Sequence, residues 1–192
     1  MVAARIAAAA LALFASVAAA QTPLQFKGFR VTPPASENWN VVERNDTSAL
    51  LGRRTASATH TFVAIVMSDT IPEKDLPLWN TVPEFFDFIK KLKRASLDPS
   101  RHTFIGEEFS PPLARAPTCM RYRLRAEDRG AQQARGVALP LEIAGVSCTH
   151  PDSLRTIVDV SYSERGGPAP DSARMREEVE RFIASVIFTP LK

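Results

Sequence analysis

Thr61-Phe62-Val63-Ala64-Ile65-Val66-Met67-Ser68 is the most strand-like stretch of the chain. Side chains alternate between the two faces of a strand. Phe62, Ala64 and Val66 therefore point one way, and Val63, Ile65 and Met67 the other. Apolar residues on both faces mean that both faces are covered. The segment predicts a layered fold rather than a one-sided sheet.

Working outward, Phe26 to Val31 reads as a short strand closed by Pro33-Pro34, because proline cannot donate to a sheet ladder. Trp39 to Glu43 and Ser48 to Arg53 read as a hairpin turning at Asn45-Asp46. Downstream, Thr81 caps a helix that runs to Leu97, with Glu84 completing a capping box and Pro83 tolerated in the first turn. Val82, Phe85, Phe86, Ile89 and Leu92 form its apolar stripe, and Lys90, Lys91, Lys93 and Arg94 read as a solvated basic end. Thr103 to Phe109 is a strand ended by Pro111-Pro112, and Thr118–Ala126, Val137–Ser147 and Thr156–Ser163 form a β-meander. Past Gly166-Gly167-Pro168, Asp171 or Ser172 caps a last helix that buries Met175, Val179, Phe182 and Val186. The fold class is α+β, a mainly antiparallel sheet packed with helices.

Met1 to Ala20 reads as a cleaved export signal. Arg5 gives a basic start, Ile6 to Val17 an apolar run, and Ala18-Ala19-Ala20 the small residues read at cleavage. Gln21, not Cys, follows the cut, which speaks against an acylated lipoprotein. Residues 21–192 then make a single domain that is periplasmic or secreted, with no later apolar run long enough to cross a bilayer. With 24 basic against 21 acidic residues, the chain lacks the footprint of a nucleic-acid partner. Cys119 and Cys148, the only cysteines, are expected to pair as an intrachain disulfide in an oxidising compartment.

If Cys119 faces Cys148 across an antiparallel pair, Arg125 lies opposite Glu142 and Arg123 opposite Ala144. Arg121, Arg123 and Arg125 share one strand face and are the candidate residues for binding an anion or a partner. That face is expected to carry Glu142, Asp159 and two serines as well. The sequence contains no Gly-rich phosphate loop, nucleophile elbow or paired metal-ligand spacing, so no catalytic residue, metal or cofactor is assigned. His60, His102 and His150 are scattered, and Glu107 and Glu108 point to opposite faces of a strand. The reading favours a non-catalytic envelope protein that binds a partner protein or an anionic ligand. The alternative is an envelope hydrolase whose site is assembled from dispersed residues such as His150, Asp159 and Ser161.

Phe29-Arg30-Val31-Thr32-Pro33-Pro34 followed by Trp39-Asn40-Val41 resembles the opening of the PsbP/Mog1-like superfamily. Glu180 to Phe188 is similar to the final helix and apolar tail of those domains. The resemblance implies an α/β/α sandwich, an antiparallel sheet between helical layers, and a binding or accessory role. Members share no catalytic residues, so none is carried over. The cysteine pair and Cys148-Thr149-His150-Pro151 lie outside the resemblance.

Overall fold

The structure, a computed structural model, describes residues 22–35, 38–53, 55, 57, 59–72, 79–110, 116–131, 136–167 and 169–191. The expected export signal and Pro111-Pro112 lie outside them. In chain order the elements are β1 (Leu24–Phe26), β2 (Phe29–Val31), β3 (Trp39–Arg44), β4 (Ser48–Arg53), β5 (Thr61–Thr70), α1 (Val82–Ala95), β6 (His102–Ser110), β7 (Cys119–Asp128), β8 (Leu139–His150), β9 (Ser153–Arg165), α2 (Ser172–Ala184) and β10 (Ile187–Phe188). Seven strands form one sheet in the order β3-β4-β5-β9-β8-β7-β6, and β1-β2-β10 form a second, smaller sheet. Every described strand pair is antiparallel.

Phe26 to Val31 is two strands, not the single strand the sequence suggests. Lys27 and Gly28 make a turn between them, and Gly28 adopts φ 84°, a conformation open to residues without a Cβ. The β3–β4 hairpin forms as expected. Asn45 Oδ1 accepts from the backbone of Thr47 and Ser48 at 2.8 and 2.7 Å, which closes the turn.

The large sheet is a layer with a helix on each side. On one face, Met175, Val179, Phe182 and Ile183 of α2 pack on Phe62, Ala64, Val66, Val158, Val160 and Tyr162 together with the small sheet. On the other, Phe85 and Ile89 of α1 pack with Trp79 and Met120. Cover of β5 is unequal: Phe62, Ala64 and Val66 are fully buried, Val63 and Ile65 half-buried, and Met67 is 47% exposed. The first helix sits over β7 to β9, and Met67 projects beyond it. Val186, expected in the last helix, falls past its end in the turn to β10.

Candidate functional site

Cys119 and Cys148 are directly opposed on β7 and β8 and are disulfide-bonded. The same register places Arg125 opposite Glu142 and Arg123 opposite Ala144, as the sequence predicts. The next strand corrects the expected face. Ala144 is paired with Tyr162 and Ser147 with Asp159, so the arginines share their face with Val158, Val160 and Tyr162. Asp159, Ser161 and Ser163 lie on the opposite face, towards α1. An offset of one residue moves a side chain from one face to the other.

On the α2 face the three arginines differ. Arg121 is ion-paired with Glu180 of α2, and Arg125 with Glu108 of β6 at 2.6 Å. Arg123, half-buried between them, has no carboxylate within salt-bridge distance among the described residues. On β9, burial and a 2.7 Å bond to Glu142 raise the Tyr162 phenol pKa strongly, and the charges of Arg123 and Arg176 oppose that rise.

Three separate clefts, with no lining residue in common, follow one another along this face between α2 and the β7–β8 pair, and the row is termed the trough. The first, about 390 Å³, is mostly apolar: Cys119, Cys148, Val146, Ile183, Ala184, Val186 and Phe188 line it, with Thr118 at its edge. The second, about 130 Å³, holds Arg121, Arg123, Glu108, Ser110 and Glu180. The third, about 190 Å³, lies between Arg125, Glu142, Pro140 and Arg176. From the first cleft to the third, β7 advances six residues, Cys119 to Arg125, and α2 about two turns, Ala184 to Arg176, so the clefts follow one another along both elements. The apolar end escapes sequence reasoning because α2 and β7 meet there from distant parts of the chain. Only the cysteine pair marks it locally.

Three buried carboxylates, Asp159, Glu164 and Asp128, are held by cations and hydroxyl or amide donors. Asp159 is buried under α1, where it accepts from Tyr122 Oη at 2.9 Å and from Ser147 Oγ. Lys93 Nζ reaches the same carboxylate at 2.7 Å and lies 4.2 Å from the centre of the Tyr122 ring. Lys93 is thus turned inward, not solvated; it stands one helical turn after Ile89 on the buried stripe. Glu164, also buried, accepts from Ser172 Oγ at 2.6 Å, from His60 Nε2 at 3.0 Å and from Arg176 at 2.8 and 2.6 Å. Burial pushes its pKa up, and those bonds outweigh burial and hold it below the usual value. Asp128 is gripped by Arg101 through two 2.7 Å bonds and by Arg165 at 2.6 Å.

The hydrolytic trio does not assemble. His150 Nε2 donates to the carbonyls of Gly28 and Thr189 at 2.9 and 3.0 Å, while Nδ1 accepts from Asp152 N at 3.0 Å. The ring is spent tying β8 to the small sheet, away from Asp159 and Ser161 under α1. Glu107 and Glu108 do point apart, to Arg94 of α1 and to Arg125. Among the described residues no helix is long and apolar enough to cross a membrane.

No protein-family model and no curated protein matches this chain. Similar solved structures include LpqN of Mycobacterium tuberculosis, described as involved in cell envelope biogenesis, at 12% identity and TM-score 0.49 over 88% of this chain and 90% of that one. A point mutant of Mog1 is 10% identical with TM-score 0.43, covering 86% of this chain and 94% of its own. The cyanobacterial PsbP of Synechocystis sp. PCC 6803 is 13% identical with TM-score 0.46, covering 93% and 99%. These likenesses concern the fold alone, and no residue role comes with them.

Proposed function

We propose that this chain is an exported, non-catalytic binding protein of the cell envelope, and that it holds a partner protein or an anionic ligand in the trough beside α2. The observation that carries this reading is Arg123, a half-buried guanidinium with no carboxylate partner among the described residues, in the middle of a row of clefts. A desolvated charge costs stability unless something pairs with it. Its neighbours Arg121 and Arg125 are already neutralised, which makes Arg123 the focus of the stripe. The signal-like start and the Cys119–Cys148 bond support an oxidising compartment outside the cytoplasm. Binding rather than turnover is supported by His60 and His150, both held in buried structural contacts.

The test is capture from envelope extract by the mature, oxidised protein, with wild type beside Arg123→Gln and Arg94→Gln, the latter on the α1 face. The reading expects Arg123→Gln to lose the captured species and Arg94→Gln to keep it. Equal capture by wild type and Arg123→Gln overturns the trough, and turnover on a panel of ester, peptide and glycoside substrates overturns the class.

A further inference from the structure

The apolar cleft and the middle cleft of the trough differ in chemistry, and the strand fixes their spacing. Cys119, in the floor of the apolar cleft, and Arg123 lie on the same face of β7 four residues apart. At about 3.3 Å per residue that is about 13 Å. Between them Arg121 faces the same side, and its only ion pair among the described residues is to Glu180 across the trough. Arg121 and Glu180 are both about one-third exposed, so either can swing aside without uncovering a buried charge. A ligand that fills the apolar cleft and reaches Arg123 has a tail of carbon and a head of negative charge.

We infer that the trough takes a single-chain anionic amphiphile, a carboxylate or phosphate on an alkyl chain of about ten carbons, long enough for that span. This rests on the trough being the working surface. The tail lies against Cys119, Cys148, Val146, Ile183 and Phe188. The head sits on Arg123, whose planar guanidinium accommodates two oxygens of a carboxylate or phosphate at once. Arg121 supplies the second cation after leaving Glu180.

The measurement is calorimetric titration of the mature, oxidised protein, below micelle-forming concentrations, with hexyl, octyl, decyl and dodecyl phosphate. Decanoate, inorganic phosphate and decyl maltoside are titrated beside them. Affinity should rise about two- to fourfold per added methylene and level off near ten carbons, where the cleft is full. Arg123→Gln should weaken decyl phosphate at least tenfold, and Arg94→Gln, on the α1 face away from the trough, less than twofold. Glu180→Gln, which frees Arg121, should strengthen it. Decanoate binding as well as decyl phosphate points to a fatty-acid source, and a clear preference for phosphate to a phospholipid-like one. Decyl maltoside binding as tightly as decyl phosphate overturns the anionic head, and inorganic phosphate doing so overturns the tail. If no alkyl anion binds wild type while Arg123→Gln still loses its envelope capture, the amphiphile is wrong and the trough stands.

Discussion

Asp128 has no exposed surface, yet it carries a charge, because Arg101, Arg165 and the Gly130 amide converge on it. The bonds from Arg101 outweigh burial and hold its pKa at about 2, against 3.8 unperturbed. A depressed carboxylate contributes stability above its unfolded pKa and loses that contribution as pH falls through the folded one. Asp128→Asn should therefore cost about 2 kcal/mol in denaturant melts at pH 7, and the gap from wild type should close between about pH 4 and pH 2. In the trough, Arg121→Glu sets two carboxylates against each other, and Glu180→Arg in the same chain should restore the wild-type melting midpoint. Exposed pairs of this kind contribute only about 0–1 kcal/mol, so rescue, not size, is the diagnostic. The register that put Arg125 opposite Glu142 was legible because a disulfide between adjacent strands fixes every pair that follows it. The burial of Asp159 was not: alternation shows that it opposes Val158 and Val160, but not that its own face is covered by α1. Lys93 could have been found, since it lies one turn after Ile89 on the stripe that faces the sheet.

Among the elements, α1 was the most fully written in sequence. Thr81 Oγ1 accepts from Glu84 N, and the Glu84 carboxylate reaches back to Asn80 N at 2.7 Å, one residue before the position a standard capping box would use. Thr81→Ala should cost about 0.5–1 kcal/mol in the same melts. The β1–β2 hairpin was misread as one strand because Lys27-Gly28 carries only half of a turn signal, with no Asn or Asp beside the glycine. Its glycine is constrained twice, by φ 84° and by a Cβ that would stand 2.5 Å from Leu191 and 3.3 Å from the His150 ring. Gly28→Ala should destabilise by about 1–2 kcal/mol or more, measured against wild type in urea. The last helix shows the opposite case. Its stripe was readable, but Asp171 makes no side-chain cap, and Ser172 bonds to Glu164 instead.

At the scale of the whole molecule, the disulfide closes a loop between residues 29 apart and forms the floor of the apolar cleft. Replacing both cysteines by serine should remove about 3–4 kcal/mol in the chain-entropy account. Export is checked by the intact mass of the secreted chain, expected to begin at Gln21 with the two cysteines oxidised; retention of Met1 contradicts it. The layered architecture followed from one strand, Phe62 to Met67, with two flanking amphipathic helices. The trough did not, because it belongs to no single element. Its function is the central claim, and photo-crosslinking in the exporting cell tests it most directly. A photoreactive residue is placed at Ala184, in the trough wall, or at Met67, on the open face beside α1. The account predicts a covalent adduct from position 184, lost when Arg123→Gln is added, and none from position 67. An adduct from position 67 alone, or one at 184 that survives Arg123→Gln, contradicts it.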